Sequence, residues 1–115
     1  MRIRVVLRGT HLNIVPDKAV VRVGEPVDWE LLGASANVRQ IAWRVYFDKA
    51  HPFGSKATTF TTVTRSNPSH GGSHAGSIGP FVAANEGEYK YGILASDQDS
   101  GGTIADDDPF LIVLR

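Results

Sequence analysis

Apolar and polar residues alternate with a period of two along much of this chain. In Arg2–Arg8, Ile3, Val5 and Leu7 fall on one side and Arg2, Arg4 and Arg8 on the other. Val27, Trp29 and Leu31 alternate with Asp28 and Glu30. Ile41, Trp43, Val45 and Phe47 alternate with Ala42, Arg44, Tyr46 and Asp48. Tyr89, Tyr91 and Ile93 alternate with Lys90, Gly92 and Leu94. A period of two belongs to an extended strand, whose successive side chains point to opposite faces. One apolar face and one polar face predict half-buried strands of an antiparallel sheet. Trp29, Trp43, Phe47, Tyr89 and Tyr91 take the inward phase and read as core.

Three further strands are predicted. Lys18–Val23 is β-branched and runs into the turn Gly24-Glu25-Pro26. Ala57–Thr64 is rich in threonine, which favours strand over helix. Phe110–Leu114 is continuously apolar. Turn-forming clusters separate them, the longest being Ser66–Pro80 and Ser96–Pro109. Seven or eight short strands at this spacing predict a single all-β domain over residues 1–115, an antiparallel Greek-key sandwich. No segment sustains a helical period, and no internal repeat marks a second domain.

Composition narrows the chemistry. With 115 residues, 42% apolar, the chain can bury one sizeable core. It has no cysteine, which removes disulfides, thiolate metal sites and a cysteine nucleophile together. Acidic and basic side chains balance, but residues 1–65 carry ten Lys/Arg against five Asp/Glu, and residues 66–115 two against seven. Arg2, Arg4 and Arg8 are the nearest thing to a basic stripe and do not make the broad basic face of a nucleic-acid binder. Val5–Leu7 is too short for the apolar core of a signal peptide, and Arg8 interrupts it. No stretch reaches membrane-spanning length. The chain as given reads as soluble, with the cytoplasm favoured.

Ile14-Val15-Pro16 and Val20–Trp29 resemble the opening strands of the cupredoxins, with a glycine turn followed by a strand carrying a buried aromatic. Asn85-Glu86-Gly87-Glu88-Tyr89-Lys90-Tyr91 resembles the strand that precedes the copper cysteine in that family. The same patterns occur in immunoglobulin-like sandwiches, which are the alternative. The resemblance implies the scaffold and not the metal. Blue copper needs two histidines, a cysteine and usually a methionine. Ile93 stands where the resemblance puts the cysteine, no histidine follows it, and the one methionine is Met1.

Two loops carry candidate chemistry. Residues 97–108 hold Asp97, Asp99, Asp106, Asp107 and Asp108 with no Lys or Arg among them. Hard cations want several such oxygens at one point, so a weak calcium site is one reading. The spacing partly matches an EF-hand loop, with Gly102 and Ile104 in place. Gly101 and the short Asp108 depart from that pattern. The plain reading is a solvated hairpin whose charges protect a sheet edge. Ser66–Ser77 holds His70 and His74, four apart, but two glycines oppose a helix and two ligands fall short of zinc's usual set. Tyr46, on an outward phase, and Phe53, in a loop, read as exposed aromatics able to hold a partner, with His70 and His74 as further contacts.

The sequence thus predicts a non-catalytic interaction module without a cofactor. Its partner would be a protein, a carbohydrate or neighbouring domains of an assembly. A calcium-stabilised accessory domain and a small metal-dependent enzyme using His70 and His74 are the alternatives. No Gly-x-Ser-x-Gly elbow or phosphate-binding glycine motif supports an enzyme.

Overall fold

A computed structural model describes residues 1–34, 38–48, 50–54, 57–66 and 73–115. These form ten strands and no helix. They are β1 (Arg2–Arg8), β2 (His11–Val15), β3 (Lys18–Arg22), β4 (Pro26–Ala34) and β5 (Gln40–Phe47). β6 (Thr59–Arg65), β7 (Ser73–Val82), β8 (Gly87–Asp97), β9 (Thr103–Asp107) and β10 (Phe110–Leu114) complete the set. One sheet has the order β2-β1-β4-β7. The other has the order β3-β10-β8-β5-β6, with β9 pairing to β8. The two face each other as a sandwich. Most pairs are antiparallel, but β1 runs parallel to β4 and β3 to β10.

Seven of the ten strands sit where the sequence predicts them, four from alternation and three from composition. The other three are β2, β7 and β9. β2 and β3 are separated at Pro16-Asp17, where the chain passes from the first sheet to the second and proline ends the ladder it cannot donate to. β7 corrects the reading of Ser66–Pro80 as a turn cluster. Its inward positions include His74, Gly76 and Ile78, a period of two hidden by residue type. Gly76 is needed there because a Cβ would lie 2.6 Å from the Thr64 methyl. β9 corrects the reading of residues 97–108 as one loop. The chain turns at Gln98–Gly102 and returns along β8.

The core lies between the sheets. Ile3, Val5, Leu7, Trp29 and Leu31 come from the first sheet, and Ile41, Trp43, Val45, Ile93 and Leu111 from the second, all essentially inaccessible. Trp29 and Trp43 also satisfy their polar atoms inside. Trp29 Nε1 donates to Tyr91 Oη (3.2 Å), and Trp43 Nε1 donates to Thr64 Oγ1 (2.8 Å). A buried indole needs such a partner. Phe47 and Tyr91 are buried as expected, with rings stacked 5.1 Å apart. Tyr89 is half-buried, and its hydroxyl donates to the Asn85 carbonyl (3.1 Å).

Arg2 and Arg4 face outward on β1, each opposite an acid in the parallel register. Arg2 meets Asp28 at 3.1 Å and Arg4 meets Glu30 at 3.4 Å. The apparent basic stripe is largely neutralised by the neighbouring strand.

Each tryptophan fills volume that no neighbour can reclaim. Trp29→Ala and Trp43→Ala should each cost about 3–5 kcal/mol in urea unfolding. A variant that unfolds within about 1 kcal/mol of wild type would place that indole outside the core.

Candidate functional site

The acidic segment and the outward tyrosine meet on the outer face of the second sheet. Tyr46 pairs with Gly92 across β5 and β8. Gly92 has no side chain, and the Tyr46 ring lies over its backbone: a Cβ there would meet the ring at 2.2 Å. On the far side of β8 the partner strand breaks between β9 and β10, at Asp108-Pro109. The missing side chain and the broken strand leave a groove of about 460 Å³. Tyr46, Asp48, Glu88, Tyr89, Lys90 and Asp108 are among its walls. Burial raises the Tyr46 phenol above its ordinary value of 10.0, and the carboxylates of Asp108, Asp106 and Asp48 raise it further. Arg44 opposes them.

The five aspartates of residues 97–108 do not converge. Asp97 and Asp99 lie at the hairpin tip, where Asp97 Oδ1 accepts from the Asp99 amide (2.9 Å) and Asp99 faces Arg39 at 3.8 Å. Asp106 and Asp107 lie at the other end of β9, opposite Leu94 and Ile93. Asp107 Oδ1 accepts from the Asp108 amide (2.8 Å). Asp97 and Ile93 are four strand positions apart on β8, roughly 13 Å. Among the described residues, no three His, Asp or Glu side chains are placed to share one metal ion. The return of β9 along β8 pulls apart what sequence spacing puts together, so the calcium arrangement is not formed.

Two of the aromatic and histidine candidates are buried. Phe53 is 2% exposed. The segment before β6 tucks in, with the Pro52 carbonyl accepting from the amides of Ala84 (2.7 Å) and Asn85 (3.1 Å). Phe53 then meets Trp29 at 6.1 Å, Phe47 at 5.8 Å and Phe81 at 5.4 Å. It is a core plug and not an exposed contact. His74 is fully buried on β7, not held in a loop. Its Nδ1 lies 3.1 Å from the Thr64 carbonyl and its Nε2 3.0 Å from the Val38 carbonyl. Both nitrogens therefore face backbone oxygens, which leaves neither for a metal or a partner. His70 lies outside the described residues. Of the candidate partner residues, Tyr46 lies on the outward face of β5 but is half-buried, its ring resting over Gly92.

No family model matches this chain, and no curated protein matches it in sequence. Solved structures do match. Auracyanin A, a "blue" copper protein from the green thermophilic photosynthetic bacterium Chloroflexus aurantiacus, superposes with a TM-score of 0.52 at 16% identity, over 98% of each chain. Auracyanin B superposes with a TM-score of 0.52 at 12% identity, over 99% of this chain and 88% of that one. The chain has the cupredoxin fold. The copper of that fold has no donor set here. Ile93, at the position the resemblance gives to the cysteine, is fully buried in β8 between Val45 and Asp107 of the flanking strands. His74 is turned to carbonyls, and His51 sits among Phe47, Phe53 and Phe60. With no thiolate in the chain, these residues do not fit blue copper.

Sequence reasoning missed Asp48, Glu88, Tyr89 and Gly92 as groove residues. The outward phase of Tyr46 and Gly92 was visible. Their pairing depends on the β5–β8 register, which a single strand does not encode.

Two outcomes check this geometry. His74→Ala removes a buried ring and leaves a backbone carbonyl, of Thr64 or Val38, without its donor, so unfolding should become about 2–4 kcal/mol easier. An unchanged urea midpoint would mean the ring is solvated. The Tyr46 phenolate should form above pH 10.0. Followed at the phenolate absorbance as wild type minus Tyr46→Phe, Asp108→Asn should move the midpoint down, since a repelling charge has gone. A midpoint that stays or rises would separate Asp108 from the groove.

Proposed function

We propose that this chain is a non-catalytic binding module, a cupredoxin fold without copper that engages its partner at the Tyr46 groove. The observation that carries this reading is the groove itself. Tyr46 and three carboxylates, from the end of β5, from β8 and from the β9–β10 break, border a cavity of about 460 Å³, within the range of ligand sites. Exposed tyrosine supplies contact area at low entropic cost, and carboxylates supply strong acceptors. The described groove walls contain no serine, histidine or cysteine to act as a nucleophile or its base. The inward-facing aromatics, by contrast, are committed to the core and do not form a second cage.

A peptide array and a glycan array, each read with wild type and with Tyr46→Ala, test the proposal. At least one probe class should bind wild type and lose at least about tenfold in affinity with the variant, the size of effect seen at a binding hot spot. If every captured probe binds Tyr46→Ala equally well, the working surface lies elsewhere.

A further inference from the structure

Three facts about the groove point to the charge of its ligand. Its described walls hold three acids, Asp48, Glu88 and Asp108, against one base, Lys90. The four ion pairs among the described residues join Met1 to Glu25, Arg2 to Asp28, Arg4 to Glu30 and Arg39 to Asp99. None uses a groove acid. Lys49, beside Asp48 in the chain, lies outside the described residues. The acids also come from three separate places: the end of β5, the start of β8 and the β9–β10 break. They therefore border the Tyr46 face from three directions, and the groove presents more negative charge than positive.

Resting on the binding-module reading above, we propose that the groove takes an alkylammonium ligand, a free aliphatic diamine or polyamine. Its ammonium groups meet the carboxylates of Asp48, Glu88 and Asp108, and its methylenes lie on Tyr46. Charge-assisted hydrogen bonds and the cation–π attraction of a tyrosine face both favour this chemistry. A neutral sugar would satisfy the acceptors but leave the excess charge in place.

Size and surroundings favour a small amine over a basic protein surface. The cavity of about 460 Å³ is of small-molecule size. A protein partner typically covers about 800 Å² on each side. Basic residues flank the groove along the strands. Arg44, opposite Leu94, lies on one side. Lys18, opposite Phe110, lies on the other. A long basic segment would cross these rows, whereas a short amine stays between them. The Tyr46 phenol, held above its ordinary value first by burial, is raised further by Asp108 and Asp48 of the same groove.

The test uses the whole chain and backbone amide NMR titrations with putrescine, spermidine, a lysine tetrapeptide, a neutral glucose oligomer and magnesium at matched ionic strength. Putrescine and spermidine should shift amides of residues 46–48, 88–92 and 108. Affinity should fall at least tenfold in Asp48→Asn with Asp108→Asn, and also fall as salt rises. Both substitutions are on exposed side chains, and an unchanged amide spectrum elsewhere verifies folding. Magnesium shifts equal to those of the amines would show mere charge screening and overturn the proposal. Shifts by the lysine peptide alone would overturn the free-amine class while leaving the groove as the binding surface. Shifts by the glucose oligomer, lost in Tyr46→Ala, would overturn the cationic class and keep the binding-module reading. No groove shift with any probe overturns the amine proposal. The binding-module reading then falls only if the array ligands also ignore Tyr46→Ala.

Discussion

The pairing of β8 governs the rest of this sandwich. Its eleven residues are bordered on one side by β5 from Ile41 to Phe47. On the other side two strands share the work, β10 against Gly87–Lys90 and β9 against Ile93–Ser96. Where β9 gives way to β10 the ladder is interrupted at Asp108-Pro109, and the Pro109 carbonyl accepts from Tyr91 (3.1 Å) to carry the pairing across. The inward residues of β8, Tyr91, Ile93 and Ala95, are all buried. The outward residue at the interruption is Gly92, and that small residue is why Tyr46 lies down and a groove exists. Core and candidate site are two faces of one strand.

The sheets are tied at their two ends by different chemistry. At one end aromatic rings bridge the gap. Tyr91 of the second sheet, stacked on Phe47, reaches Trp29 of the first, and Phe53 packs between Trp29, Phe47 and Phe81. Edge-to-face and offset contacts of this kind add to simple area burial. At the other end the tie is polar. The His74 ring of the first sheet lies between the carbonyls of Thr64 and Val38, and the Thr64 hydroxyl accepts from Trp43 within the second sheet. Buried polar groups of this kind hold one geometry because any other leaves them unsatisfied. The histidine that spacing alone offers as a ligand is spent on this seam.

How much the sequence reveals follows from what each segment must bury. Arg2–Arg8, Val27–Leu31 and Ile41–Phe47 bury large apolar residues on every second position, so their strands and inward faces are legible. β7 is not, because its inward places hold His74 and Gly76, which carry little apolar signal. β9 is masked by its run of aspartates, whose charges suit an exposed strand end as well as a loop. Phe53 was misread because a loop aromatic looks exposed until the chain is seen to fold beneath the sheets. The groove was half legible. Tyr46 and Asp108 were both singled out from sequence, for unrelated reasons. Only the register of β5 on β8 and the return of β9 bring them together.

The central claim is that β8 and β9 form a paired hairpin, with one register shift between Ala95 and Ser96, through the region where the resemblance to the cupredoxins places the copper cysteine. Amide hydrogen exchange at single-residue resolution tests it most directly. The account predicts that the cross-strand bonded amides of Ile93–Asp97 exchange slowly, with protection close to that of the Tyr89–Tyr91 stretch, and that only the Gln98–Gly102 turn exchanges fast. Rapid exchange throughout residues 92–107, as in a loop without a ladder, would contradict it.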